Sequence, residues 1–138
     1  MNKIDDKEIV ARFISKPWWI SNGQVKGDAF RPKMAPKSKM LETSVVKHQG
    51  KDDTYIRNSG KKWESIPRPK GVNVKFIGWA DIKAGAVRTA STIPALDVWP
   101  ASSKKEPNHA NIVGWSSTYA EQIIQAEEIA RYSYFKSS

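Results

Sequence analysis

The chain has 138 residues, with 23 Lys and Arg against 14 Asp and Glu, no Cys and 39% hydrophobic residues, which suits one domain around one core. Without Cys there is no disulfide framework, thiolate metal site or thiol nucleophile, and two His cannot hold a structural zinc without carboxylates, so no metal and no cofactor is expected. The opening MNKIDDKEIV lacks the apolar run of a secretory signal, and no stretch is long enough to cross a bilayer; a cytoplasmic protein without membrane contact is the expectation.

Glu8–Phe13 (EIVARF) has strand character, and after Pro17-Trp18-Trp19-Ile20 the Asn22-Gly23 pair is a turn signal. The expected order is strand, turn, strand, the second arm running from Gln24 to Phe30. Pro32–Lys39 is a Pro- and Lys-rich surface loop. Leu41–His48 is a strand with Leu41, Thr43, Val45 and Lys47 on one face and Glu42, Ser44, Val46 and His48 on the other. Gln49–Gly71 is a polar excursion anchored by Tyr55, Ile56, Trp63 and Ile66, with room for at most one short helix. Val72–Ala80 alternates and predicts a central strand, after which Asp81 is placed to cap a short helix from Ile82 to Arg88. Ile93–Trp99 predicts a strand broken at Pro94, Ala101–Pro107 a polar loop, and Asn108–Trp115 a return to order. Thr118 and Glu121 have capping-box spacing, and Ala120, Ile123, Ile124, Ala130 and Tyr134, flanked by Ile129, form an apolar stripe that predicts a C-terminal helix over about 118–134. These elements predict a single α+β domain over 1–138, a mostly antiparallel sheet packed by the C-terminal amphipathic helix, with a basic loop-rich region over 31–71.

Charge is concentrated in the middle third. Between Arg31 and Lys75 twelve basic residues face four acidic ones, and the net charge of +9 favours a polyanionic partner. Six Trp in a chain of this size are too many to assign all to the core; Trp79, Trp99 and Trp115 are expected inside, and Trp63 with one of Trp18 and Trp19 outside. Lysine beside tryptophan, as in Lys16-Pro17-Trp18-Trp19 and Lys61-Lys62-Trp63, combines phosphate neutralisation with base stacking of roughly 1–3 kcal/mol per base. The nucleic-acid-binding set is therefore Lys33, Lys37, Lys39, Arg57, Lys61, Lys62, Trp63, Arg68, Lys70, Trp18 and Trp19, with RNA or single-stranded DNA as the partner.

Two other functions compete. His109 lies between a polar loop and an apolar segment, where a general acid or base can be held by packing yet reach solvent, although a lone His in that place also orients a turn. With His48 and Arg88 it could form a catalytic set for metal-independent RNA cleavage or a nucleotide-processing toxin. The basic face could instead bind an acidic protein partner. No phosphate-binding Gly-rich motif, HExxH or nucleophile elbow is present. The helix carries Glu121, Glu127 and Glu128, which anionic lipid would repel.

Arg12 followed by Thr43-Ser44 resembles the arginine-then-serine layout of ADP-ribosyltransferase cores, over those residues only; neither Glu64 nor Glu106 sits in a motif that would complete it. The order Arg12-Phe13, Ala29–Pro32, Thr43–Val45, Trp79–Ile82 with Val87-Arg88, and above all His109–Trp115 (HANIVGW), resembles a group of short, uncharacterised bacterial proteins sharing a HANIxGW-type segment. That resemblance implies a bacterial origin and a single compact domain, and no activity.

Overall fold

The β-branched and apolar residues of IVARF, LETSVV and HANIV place these stretches in the strands on which everything else is hung. The computed structural model describes residues 3–138; Met1 and Asn2, which open the MNKIDDKEIV segment, lie outside the described residues. The strands are β1 (Ile9–Ile14), β2 (Ile20–Ser21), β3 (Gln24–Val25), β4 (Lys33–Met34), β5 (Leu41–Lys47), β6 (Gly78–Lys83), β7 (Asp97–Pro100), β8 (His109–Val113) and β9 (Tyr134–Ser137), with helices α1 (Asp53–Ser65), α2 (Ala84–Thr89) and α3 (Tyr119–Ala130). The main sheet has the order β7-β8-β5-β1-β6-β9, with β4 added to the start of β5, and every pairing is antiparallel. No described helix is long and apolar enough to cross a membrane. The fold is thus α+β with a mostly antiparallel sheet.

The two faces of the sheet are covered unequally. On the first, Val10, Ile14, Val45, Ala80, Ile82, Val98, Ala110 and Ile112 form the main core with Ala29 and Phe30 and with Ala84 and Val87 of α2 and Ala126, Ile129 and Ala130 of α3. On the second, α1 brings Ile56 against Ala11, Val46 and Trp79, with Phe76 beside them. Gly60 faces inward on α1, where a Cβ would overlap the Phe76 ring. The small residue sets how closely helix and ring approach.

Several boundaries differ from the sequence expectation. The Asn22-Gly23 turn forms, with φ of 52° and 75°, but its second arm is only β3 and then winds into a 3-10 turn at Gly27–Phe30. The excursion holds a 13-residue helix, started by Asp52, whose carboxylate accepts from the Thr54 and Tyr55 N–H groups. Residues 72–77 are not a strand, because Phe76 is drawn beneath α1 and its N–H is held by the Glu64 carboxylate. The strand starts at Gly78 and takes in Asp81, which pairs with Ala11 and Tyr134 and caps nothing. Helix α2 is started instead by backbone: Ala84 and Gly85 N–H donate to the Glu8 and Asp6 carbonyls.

The last helix ends at Ala130 and the chain closes with β9. The face it buries is Gln125, Ala126, Ile129 and Ala130, leaving Ile124 61% and Tyr134 74% exposed. Gln125 can face inward because its amide is satisfied: Oε1 accepts from Ser116 N–H at 2.9 Å, and Nε2 donates to Pro94 O at 2.9 Å and Gly114 O at 3.2 Å. The Thr118 hydroxyl donates to Glu121 Oε1 at 2.8 Å and accepts from no helix N–H, so the capping box is not closed.

Candidate functional site

Strands β1 and β5 pair only at Val10/Lys47 and Ala11/Val46, and beyond those pairs they separate. Arg12 fills the gap: Nε donates to Ala29 O at 2.8 Å and Nη1 to Ser44 O at 3.1 Å. No described carboxylate pairs with it, and burial lowers its pKa to about 10. Over this parting, between α1 and the 104–106 loop, lies a cleft of about 610 Å³. Its floor is Ala11, Phe13, Ser44 and Val46, one wall is Ser59, Lys62, Trp63 and Ile66, and the other is Lys104, Lys105, Glu106 and His109.

Beneath α1 runs an aromatic series. Trp63 lies 5.2 Å from Phe13, Phe13 5.5 Å from Phe76 and Phe76 6.2 Å from Trp79, ring centre to ring centre. Arg68 and Arg57 sit over the outer rings, each 5.3 Å from its centre. The opposite wall is tied to α1 by one latch. Tyr55 Oη donates to Glu106 Oε1 at 2.7 Å, Asn108 Nδ2 donates to Tyr55 Oη at 3.0 Å, and Asn108 N–H reaches the same carboxylate at 3.2 Å. Burial and then the Glu106 carboxylate raise the Tyr55 pKa above its ordinary value. Lys62, Lys104 and Lys105 are exposed and form no ion pair with any described carboxylate, so the mouth of the cleft is positive.

His109 is half-buried at this mouth, with Nδ1 3.0 Å from Ala101 O. Because a carbonyl only accepts, Nδ1 carries the proton, and the neutral ring keeps Nε2 as an acceptor. His48 is elsewhere engaged. It is buried, with Nε2 2.8 Å from Asp81 Oδ1; Asp81 Oδ2 lies 3.3 Å from Lys136 Nζ, which also donates to both Asp53 oxygens at 3.1 Å. Burial pushes the His48 pKa down, but the Asp81 carboxylate outweighs it and the net shift is upward. Donor atoms of His48, Asp53 and Asp81 lie within 4.8 Å of one another, a spacing that a metal ion could use, but the positive charge between the carboxylates is Lys136's own. Arg88 sits between Asp6 and Asp97, 2.6 Å from each. The two imidazoles and Arg88 thus belong to three separate hydrogen-bond systems, and only His109 lines the cleft.

The basic residues singled out in the sequence are dispersed. Lys33 is in β4 and Lys37 and Lys39 in the turn that follows it; Lys61 and Lys62 are exposed on α1, and Lys70 is exposed beyond it. Arg57 and Arg68 are spent on the rings, and Arg68 also donates to the Trp63, Glu64 and Ile66 carbonyls at the end of α1. Trp18 is 63% exposed beside Lys16, Trp19 packs against the main core, and Trp63 is half-buried. Trp79 and Trp115 are buried as expected, but Trp99 is 48% exposed on β7, an edge strand of the sheet. Sequence reasoning misses Lys104 and Lys105; the signal for them is a Lys pair between Pro100 and Pro107, shortly before His109. Comparison with protein-family models, curated proteins and solved structures finds no match to this chain.

Proposed function

We propose that the protein binds nucleic acid, RNA or single-stranded DNA, at the mouth of this cleft. The observation that carries the reading is the grouping of three unpaired lysines, Lys62, Lys104 and Lys105, around a floor and wall that contain Phe13 and Trp63. Lysines without carboxylate partners favour a polyanion through counterion release, and aromatic side chains beside them offer contact to unpaired bases. The test is fluorescence anisotropy with a labelled oligonucleotide over a range of salt. Log affinity should fall steeply with log salt, and Lys62→Glu with Lys104→Glu should weaken binding to all sequences alike and reduce the slope by roughly one unit for each phosphate no longer neutralised. Binding that ignores salt, or none at low salt, overturns the reading; binding of an acidic protein without affinity for any oligonucleotide replaces it with the protein-partner alternative.

One observation favours a second reading, metal-independent ribonuclease action. His109 holds its Nδ1 proton on Ala101 O and so keeps Nε2 as the base that could take a 2′-hydroxyl proton. His109→Ala should then abolish cleavage of bound RNA and leave the unfolding temperature nearly unchanged; a large loss of stability would assign the ring a structural role.

A further inference from the structure

Beside the cleft, part of the second face of the sheet lies outside the cluster under α1. Helix α1 covers Ala11, Val46 and Trp79 on β1, β5 and β6, in a cluster that takes in no residue of β7 or β8. There Trp99 pairs with Asn111 and Asn111 with Ser44. Directly paired residues of an antiparallel sheet point to the same face, so the three side chains form a row across β7, β8 and β5, with strands about 4.8 Å apart. Ser44, the inner end of the row, is exposed and also lines the cleft.

Two members of the row are unusual for an ordinary surface. Trp99 exposes half of its ring, and the ring is oriented, because Nε1 donates to Asp97 Oδ2 at 3.3 Å. The Asp97 charge is in turn held by Arg88. Asn111 keeps a side-chain Oδ1 that is buried and has no hydrogen-bond partner, a condition that calls for an explanation in a native sheet. Lys104 and Lys105, in the loop after β7, stand unpaired at the same cleft.

We propose that this row is a platform for single-stranded RNA, Trp99 stacking an unpaired base, the Asn111 amide turning to bond its edge, and Ser44 meeting a ribose 2′-hydroxyl. The inference rests on the nucleic-acid reading of the adjoining cleft. Positive charge from Lys104 and Lys105 selects a polyanion over a neutral partner. A duplex keeps its bases paired and stacked, so it has no free ring for Trp99 and no free edge for Asn111. An acidic peptide meets the lysines but leaves the indole and amide idle. Ser44 favours RNA over DNA, since deoxyribose has nothing to return to its hydroxyl.

The test is anisotropy with a labelled single-stranded RNA of about ten nucleotides, competed by DNA of the same sequence and by RNA duplex, on wild type, Trp99→Ala, Trp99→Phe and Ser44→Ala. Single-stranded RNA should bind most tightly. Trp99→Ala should weaken it by about tenfold or more with an unchanged salt slope, Trp99→Phe should recover most of that loss, and Ser44→Ala should bring RNA down to the level of DNA. Equal competition by DNA or duplex, or wild-type affinity in Trp99→Ala, overturns the platform; steep salt dependence surviving in wild type would then leave the cleft reading standing. Absence of binding to every polynucleotide overturns both.

Discussion

The two halves of the sheet's second face start from similar residues and end in opposite states. Under α1, Trp79 is fully buried and stacked on Phe76, with Arg57 over its ring. On the other half Trp99 stands half in solvent beside an amide whose oxygen has no partner. One half packs its aromatic rings against one another and contributes stability, although the Trp79 indole N–H, like Asn111 Oδ1, has no hydrogen-bond partner; the other leaves a large ring half in solvent.

The sharpest way to break this contrast is to truncate both tryptophans. Trp79→Ala should cost about 3–5 kcal/mol in urea unfolding, whereas Trp99→Ala should stay within about 0.5 kcal/mol of wild type. Equal losses would erase the distinction between the halves. Next in size is Gly60→Ala: alanine in a helix ordinarily gains about 1 kcal/mol over glycine, but here overlap with Phe76 should reverse the sign to a loss of about 1–3 kcal/mol.

His48 sharpens the contrast through pH. Its folded pKa is raised, so the stability that its protonated form contributes is complete below the ordinary imidazole value of about 6.5 and is lost as pH rises through the folded pKa above it. Urea unfolding of wild type should therefore weaken across that window. His48→Gln should start about 2 kcal/mol lower at the acid end and show no such decline. The smallest effect is at the latch: Tyr55→Phe removes the bond to Glu106 and should cost about 1 kcal/mol or less, with faster amide exchange over residues 103–109 as the clearer readout.

Much of the strand framework is legible in the sequence. β5 has both faces divided as its alternation predicts, β8 lies within the expected stretch, and the Asn22-Gly23 turn is where its residues require it. Buried polar residues are what the pattern misplaces. Asp81 looks like a cap but is half of a buried ion pair, and Gln125 looks like the outer side of α3 but is held by three backbone groups. Periodicity ranks residues by polarity, and it is blind to a partner distant in sequence that satisfies a polar group. The site is less legible for a related reason. Charge density draws attention to 31–75, where two arginines are spent on rings, while the exposure of Trp99 follows from a strand edge that only the pairing order defines, and Lys104 and Lys105 reach the cleft from the loop beyond it.

That order also governs how the molecule is made. β1 lies at the centre of the sheet yet finds its partners late: Ile9 is matched with Lys83, and β5, its other neighbour, completes its pairing only when Thr43 meets Ile112. Few of these contacts are local, so large loops must close before burial compensates their entropy, and refolding belongs in the millisecond-to-second range of β-rich topologies. Until β8 arrives, β5 has an unprotected edge carrying Val45 and Val46, and the interval before that arrival is when the chain is most exposed to pairing with a copy of itself.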